Sequence, residues 1–495
     1  MTDITKLSIR SIIRSLKEKR FSSKELVTEL LNKAEERKDL NAFVHLPRDL
    51  ILDNAEKSDK LIASGAARSM EGVPIGIKDL FCTSDMPTTS ASNILRNFHP
   101  HYESTVTQNL LDEGVVKFGK INMDEFAMGS SNTNSCFGPS INPWKDTTAP
   151  HEPLVPGGSS GGSCSAVSAG LVPGALGSDT GGSIRQPSSF CGVVGIRPTY
   201  GRCSRWGMVA FSSSLDQAGV ITRSVDDAAL LLSTIAGYDP KDSTSIVLPK
   251  PDFTKMVNAG VKGMKIGVVK EYKVDQINHD ITDALDDCAR ELEKAGATIV
   301  HISLPHSHYA LPTYYILAMS EMSSNLARYD GVKYGYRTKS AYNSLEEMIS
   351  ITRDEGFGEE VKRRIMIGTY VLASKHYDGY YIQTQKIRRV ITQDFVDAFK
   401  EVDVILAPST PTTAFKLSES NKMDPLVMYA NDIFTVPSSL AGLPGMSLPI
   451  KLCTKKQLPI GLQIIGPHYQ EDRLFQCGQV IEDAFAFADK YSPQF

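Results

Sequence analysis

The stretch VPGGSSGGSCSAVSAG (155–170), followed by ALGSDTGGSIRQPSSFCG (175–192), is the most unusual part of this sequence. Glycine and serine dominate from 155 to 207, a composition that in isolation is typical of flexible linkers. Here valine, isoleucine, leucine, phenylalanine and cysteine occur between them, as in a packed segment. We therefore predict that this stretch is a packed segment of a folded domain.

The sequence on both sides of this stretch alternates short apolar runs with helical patterns. Between the apolar runs 265–270 and 297–304, helical spacing is seen at Ile281, Leu285, Cys288 and Leu292. Such alternation favours an α/β fold with a mixed, mainly parallel sheet covered by helices. The predicted strands are 72–81, 114–122, 265–270, 297–304 and 402–408.

The N-terminal part is predicted to be helical. Ser22 followed by Glu25 fits a capping box, and apolar residues at helical spacing follow it. We interpret 1–65 as a helical arm that packs on a catalytic domain spanning 66–495. No internal repeat or low-complexity tract is seen.

The charge and the cysteine content of the chain argue against several classes of function. The chain has 495 residues, a net charge of −4 and eight cysteines without a C-x-x-C motif. These features do not indicate a basic nucleic-acid surface, a zinc site or a disulfide framework. The first residues lack the apolar core of a signal peptide, and no apolar run is long enough to span a membrane. We expect a cytoplasmic protein without membrane contact, whose cysteines are reduced.

Two common glycine-rich motifs do not fit the 155–192 stretch. A phosphate-binding loop would place a lysine after its second glycine, and a dinucleotide-binding loop would read G-x-G-x-x-G. A Ser-His-Asp hydrolase, whose nucleophile lies in a G-x-S-x-G elbow, is a further alternative. The ten histidines lie in unrelated contexts, so none is favoured as a catalytic base.

A serine nucleophile activated by a lysine remains, as a variant of the Ser-His-Asp triad. Ser183 follows Thr180, Gly181 and Gly182, whose backbone N–H groups could converge on an oxyanion. Residues 183–186 are predicted to open a short helix, whose N-terminus also favours negative charge. The alternative for Ser183 is an ordinary helix N-cap.

A lysine base must be neutral before it accepts a proton. A solvated lysine has a pKa near 10.4, but burial lowers the pKa by several units. Lys78 is the lysine within the apolar strand GVPIGIKDLF (72–81). It is the candidate base, with a surface lysine at a sheet edge as the alternative.

These motifs resemble those of the amidase signature family. The resemblance rests on GGSSGGS, on GSDTGGSIRQPSSFCGVVGIRPTYG and on GVPIGIKD, and it covers almost the whole chain after the N-terminal arm. By position it implies that Lys78 is the base, Ser159 the bridging serine and Ser183 the nucleophile. It also implies a cis peptide bond between Gly158 and Ser159, and an oxyanion site at Thr180, Gly181 and Gly182.

Four further segments resemble the A subunits of glutamyl-tRNA(Gln) amidotransferases. They are 122–144, 323–337, 356–370 and 424–434. This resemblance implies a glutaminase in which Arg364 binds the α-carboxylate of glutamine, Asp432 binds its α-ammonium group and Tyr315 lines the pocket. When Arg364 and Asp432 are considered one at a time, the alternative for each is an ordinary surface ion pair.

The same resemblance implies partners and cofactors. A small GatC-like subunit, together with a GatB-like tRNA-binding subunit, would complete a heterotrimer that converts Glu-tRNA(Gln) to Gln-tRNA(Gln) with ATP and Mg²⁺. This chain would bind neither a metal nor a cofactor itself, and tRNA would be contacted mainly through the partner. A stand-alone amidase for another small amide and a catalytically silent scaffold are the rival interpretations.

Two departures from the family pattern stand out. Residues 145–155 form a longer segment than expected, which we predict to be a surface loop beside the site. Cys164 and Ser165 replace small alanines in the helix after GGSSGG, but both are small enough to fit.

Overall fold

The computed structural model describes residues 4–272, 277–420 and 422–493. Within these ranges, the strands form one eleven-stranded sheet in the order β1-β3-β2-β4-β6-β5-β10-β11-β9-β7-β8. The strands are β1 (Phe43–His45), β2 (Pro74–Lys78), β3 (Val116–Ile121), β4 (Gly174–Asp179), β5 (Val194–Arg197), β6 (Gln217–Thr222), β7 (Lys265–Val269), β8 (Thr298–Ile302), β9 (Val404–Pro408), β10 (Gly445–Leu452) and β11 (Pro459–Ile465).

Helices pack on this sheet around a continuous apolar core. They are α1 (Ile9–Lys17), α2 (Ser23–Glu36), α3 (Arg48–Ala63), α4 (Thr105–Asp112), α5 (Gly161–Ser168), α6 (Arg185–Cys191), α7 (Val225–Ile235), α8 (His279–Lys294), α9 (Ala310–Leu326), α10 (Leu345–Gly356), α11 (Glu359–Leu372), α12 (Ser374–Tyr377), α13 (Gln383–Ala398), α14 (Leu417–Ser420), α15 (Pro425–Tyr429), α16 (Val436–Leu440), α17 (Glu471–Phe485) and α18 (Phe487–Lys490). In the part of the chain described here, no helix combines the length and apolar character needed to cross a membrane.

The predicted mixed α/β fold is confirmed, and each of the five predicted strands is present as β2, β3, β7, β8 or β9. The expectation of a mainly parallel arrangement is wrong, because six of the ten strand pairs described are antiparallel and four are parallel. The parallel pairs involve β2, β3, β4, β7, β8 and β9. Six strands are absent from the prediction, namely β1, β4, β5, β6, β10 and β11. In the pairs described, all of these except β4 pair only antiparallel.

The N-terminal helices form as their patterns predict. Ser22 and Glu25 make the reciprocal bonds of a capping box at the start of α2. Strand β1 also belongs to this region and pairs with β3 of the main sheet. The division into an arm (1–65) and a catalytic domain (66–495) stays a prediction.

The sheet positions the glycine- and serine-rich stretch. Strands β2 and β4 are parallel neighbours, with Gly76 opposite Ala175. Their carboxyl ends therefore meet at one edge, where Lys78 ends β2 and Asp179 ends β4. The stretch itself is buried, as predicted, and supplies α5, β4 and α6. The longer segment 145–155 bonds through Thr147 to the backbone of Lys456 in the β10–β11 turn.

Candidate active site

The side chain of Lys78 ends among three serine hydroxyls. Its Nζ lies 2.9 Å from Ser159 Oγ, 2.8 Å from Ser160 Oγ and 2.9 Å from Ser178 Oγ. The lysine is fully buried. The three hydroxyls come from the loop before α5 and from the end of β4. The sequence pointed to Ser159, whereas Ser160 and Ser178 were not identified.

Burial changes the charge state of Lys78. Desolvation lowers the pKa of Lys78 to about 7, although the charges of Asp124, Asp179 and Asp216 act in the opposite direction. A large fraction of this lysine is therefore neutral near neutral pH. An amine in that state, held against a hydroxyl, can act as a general base.

The loop before α5 is held by bonds from several directions. The peptide bond between Gly158 and Ser159 is cis, as the family resemblance implied. The N–H of Gly158 donates to Gln186 Oε1 at 2.9 Å, and the N–H of Asp124 donates to the carbonyl of Ser159 at 3.3 Å. A Cβ atom at Gly158 would collide with the Asp124 carboxylate, so only glycine fits there.

Ser183 lies in the turn between β4 and α6. Its carbonyl accepts the N–H of Ser160 at 3.0 Å, which joins the two clusters of glycine and serine. The residue is 8% exposed. Helix α6 begins at Arg185, slightly later than the predicted opening at 183, and its first turn bonds back through Gln186 N–H to the carbonyl of Gly182.

The turn residues Thr180, Gly181 and Gly182 are fixed by side chains from distant segments. Thr180 Oγ1 donates to Asp216 Oδ1 at 2.7 Å, and Thr435 Oγ1 donates to the carbonyl of Gly181 at 2.7 Å. Gly182 has a φ of 152°, a value that side chains other than glycine rarely allow. The backbone of this turn is therefore held in place before any ligand binds.

A buried ion-pair network lies at the end of β4, directly before this turn. Asp179 accepts from the guanidinium groups of Arg185 and Arg197, and all three side chains are fully buried. The two arginines hold the pKa of Asp179 down at about 2, against the effect of its burial. No local pattern in the sequence indicates this network, since only folding brings Arg197 of β5 to the end of β4.

Arg364, Asp432 and Tyr315 meet on the other side of the turn. Tyr315 Oη lies 3.5 Å from Asp432 Oδ2, which also accepts from Ser130 Oγ at 2.6 Å. The Arg364 guanidinium carbon lies 5.6 Å from the centre of the Tyr315 ring. All three predicted pocket residues are therefore brought together, and Ser130 joins them.

The guanidinium of Arg364 is buried between aromatic rings. It lies 5.3 Å from the ring centre of Tyr429, which stacks on Tyr315 with 4.0 Å between centroids. Its Nε donates to Glu360 Oε1 at 2.7 Å. The side chain is only 3% exposed, so this arginine is not part of a surface ion pair. Glu360 and Tyr429 were not identified from the sequence.

Asp432 has one oxygen without a partner among the residues described. Its Oδ1 is buried and makes no hydrogen bond there. A Cβ atom built at Gly182 would lie 3.3 Å from that oxygen, so Oδ1 faces the turn that carries Ser183. Burial raises the pKa of Asp432 to about 7. A cationic group in this space would bond Oδ1 and favour the ionised carboxylate.

Comparison with known proteins gives one family and a set of close relatives. The protein-family model described as Amidase matches residues 25–475. The chain is 53% identical over 490 residues to a protein of Hyphomonas neptunium that is named as the A subunit of glutamyl-tRNA(Gln) amidotransferase, with 99% of each chain covered.

Two solved structures have the same fold. The A subunit of glutamyl-tRNA(Gln) amidotransferase from Thermotoga maritima matches with a TM-score of 0.79 at 38% identity, covering 98% of this chain and 96% of that one. The native peptide amidase from Stenotrophomonas maltophilia matches with a TM-score of 0.82 at 26% identity, covering 99% and 98%. With its serine-surrounded lysine and with a family model that matches most of its length, this chain belongs to the amidase family.

Proposed function

We propose that this chain is the glutaminase subunit of a tRNA-dependent amidotransferase, a carbon–nitrogen ligase that uses glutamine as its amido donor. Relatives that are 52–53% identical over nearly their whole length are named as the A subunit of glutamyl-tRNA(Gln) amidotransferase. The observation that carries the proposal at the level of chemistry is the buried Lys78 Nζ, 2.9 Å from Ser159 Oγ.

In the proposed reaction, Ser183 Oγ attacks the side-chain amide carbon of glutamine. Ser159 takes the proton of Ser183 while neutral Lys78 takes the proton of Ser159. The N–H groups from Thr180 to Ser183 stabilise the oxyanion. The proton then returns through Ser159 to the amide nitrogen, the carbon–nitrogen bond breaks and ammonia leaves. Water attacks the resulting ester, and glutamate is released.

The proposed glutamine pocket explains why the substrate would be an amino acid. Arg364, whose Nε is engaged by Glu360, would bind the α-carboxylate through its Nη groups. The unpartnered Oδ1 of Asp432 would accept from the α-ammonium group. Tyr315 would close the pocket above both charges. A small neutral amide would need neither Arg364 nor Asp432.

The word subunit in the relatives' names supports a multi-chain assembly. We propose the finer composition as a heterotrimer in which a small GatC-like subunit joins this chain to a GatB-like tRNA-binding subunit. In it, ATP and Mg²⁺ would serve the tRNA-binding partner, which activates the glutamyl ester of Glu-tRNA(Gln). Within the described residues, no group of three or more potential metal ligands lies together.

The proposal is tested by Ser183→Ala in the complex purified from its native cell. Glutamine-dependent conversion of Glu-tRNA(Gln) should be lost, whereas conversion driven by free ammonium should continue, because only the ammonia source is removed. Ser418→Ala, at an exposed serine, is the control and should leave both activities unchanged. Glutamine hydrolysis by folded Ser183→Ala near the unmodified rate would refute the assignment.

A stand-alone amidase is the second candidate. It is favoured by the fit to the peptide amidase, whose TM-score of 0.82 is slightly above the 0.79 of the amidotransferase structure. The isolated chain decides between the two: a higher kcat/KM for a neutral amide than for glutamine, with no gain on adding partner chains, would favour the stand-alone enzyme.

A further inference from the structure

A second cavity lies beyond the proposed glutamine pocket. Its volume is about 530 Å³, and residues from the loops near 82–102, 205–216, 241–243 and 328–334 surround it. Among the described residues that line it, Lys78, Ser159, Ser183, Arg364 and Asp432 do not occur. The reaction proposed above therefore leaves this cavity without a role.

Aromatic rings wall the cavity in two pairs. Tyr102 and Trp206 lie with ring centroids 5.9 Å apart, and Phe98 and Tyr334 lie 5.7 Å apart. Trp206, Tyr102 and Tyr334 are 42%, 45% and 39% exposed, which is unusual for large aromatic side chains. Exposed rings at the wall of a cavity are suited to stack against a planar group.

Besides Arg205, two cations lie at the same cavity. Lys241 Nζ is 5.8 Å above the Trp206 ring, and Arg328 is anchored by Nε and Nη2 to Asn325. Over the described ranges, neither forms an ion pair with an acidic side chain. Both are exposed and free to meet an anion.

The acidic groups nearby are already engaged. Asp242 accepts from the backbone and hydroxyl of Thr244 and from the N–H of Arg205. Asp216 accepts from Thr180 and from the N–H groups of Phe211 and Ser212. Asp242 also pairs with the Arg205 guanidinium, 3.6 Å away, so Lys241 and Arg328 are the lining cations left without an acidic partner among the described residues.

We propose that this cavity is a nucleotide-binding site, in which an aromatic base stacks on Trp206 or Tyr334 while its phosphate binds Lys241 and Arg328. Stacking and phosphate contacts of this kind recognise the chemistry of a nucleotide and not a particular sequence. The ligand is either a free nucleotide or the end of a single-stranded RNA. The proposal is independent of the glutaminase assignment, since the catalytic residues take no part in it.

Trp206 also provides the test. The sequence has two tryptophans, and the other, Trp144, is 6% exposed with its indole N–H bonded to the carbonyl of Cys191. Titration of the full-length chain with AMP or with a short oligoadenylate should quench the Trp206 emission in a saturable way, with half-saturation at about 1 mM or below. Trp206→Phe should abolish the signal.

The charge variants separate a nucleotide site from non-specific quenching. Lys241→Gln and Arg328→Gln should each weaken binding by about tenfold, whereas Lys38→Gln, at an exposed lysine that does not line the cavity, should not. Tighter binding of oligoadenylate than of AMP would identify an RNA end as the ligand, and equal or weaker binding a free nucleotide. The proposal is overturned if neither probe saturates, if both charge variants bind as tightly as the unmodified chain, or if inorganic phosphate alone binds as well as AMP.

Discussion

The Nζ atom of Lys78 lies 2.9 Å from Oγ of Ser159, although 81 residues separate them in the chain. The parallel pairing of β2 with β4 positions Lys78, and the loop before α5 positions Ser159. Full burial of the pair then decides the protonation state of the lysine. This relationship underlies the first two predictions below.

Replacement of Lys78 by arginine should remove the proposed general base. Arginine stays charged at every working pH, so Lys78→Arg should lower kcat for glutamine hydrolysis by roughly 10²–10⁴-fold. Lys78→Met, which has similar volume and no charge, should be equally inactive. Circular dichroism checks that both variants fold. Substantial activity in the arginine variant would exclude Lys78 as the proton acceptor.

The pH profile should report the titration of Lys78. Because the pKa of Lys78 is lowered to about 7, its neutral, proton-accepting form grows as the pH rises through that value. The titration of Lys78 by itself should make kcat/KM fall about tenfold per unit below pH 7 and level off above it.

Asp432 complicates that profile, because its pKa is also about 7 and its ionised form would bind the α-ammonium group. A neutral amide without α-charges removes this second contribution. With that substrate, the fall in kcat/KM below pH 7 should persist. If that fall disappeared, the profile would belong to Asp432 and not to Lys78.

Arg364→Ala should raise the KM for glutamine by an amount equivalent to about 2–5 kcal/mol, since the buried charge proposed to bind the α-carboxylate is lost. Steady-state kinetics with glutamine and with a neutral amide measure the effect, and the neutral amide should be affected little. Arg363→Ala is a matched control, because the neighbouring arginine also pairs with Glu360 but is 48% exposed. Equal losses on both substrates would show that the pocket is elsewhere.

Asp179→Asn should destabilise the fold. The substitution leaves Arg185 and Arg197 buried without their counter-charge, at a cost of about 3–5 kcal/mol in the free energy of unfolding. Urea denaturation measures the loss. Asp226→Asn, which breaks the exposed pair with Arg10, should cost less than about 1 kcal/mol. Similar values for the two variants would contradict the role given to the buried network.

The sequence by itself predicted much of the candidate site because its signals are local. Lys78 is the single lysine of the apolar run 72–81, and Ser159 and Ser183 each lie in a short motif of glycines and serines. Arg364, Asp432 and Tyr315 were indicated by longer segments that resemble the family. The strands β2, β3, β7, β8 and β9 could be predicted because each is a compact apolar run bounded by polar or turn residues.

Only the tertiary structure decided which groups surround those residues. Ser178 reaches Lys78, and Arg197 reaches Asp179, through strand pairings that no local pattern contains. The orientation of Asp432 Oδ1 toward Gly182 depends on segments 250 residues apart. The physical reason is that periodicity and turn chemistry act over a few residues, whereas burial, and with it the pKa of Lys78, depends on every element that packs around the site.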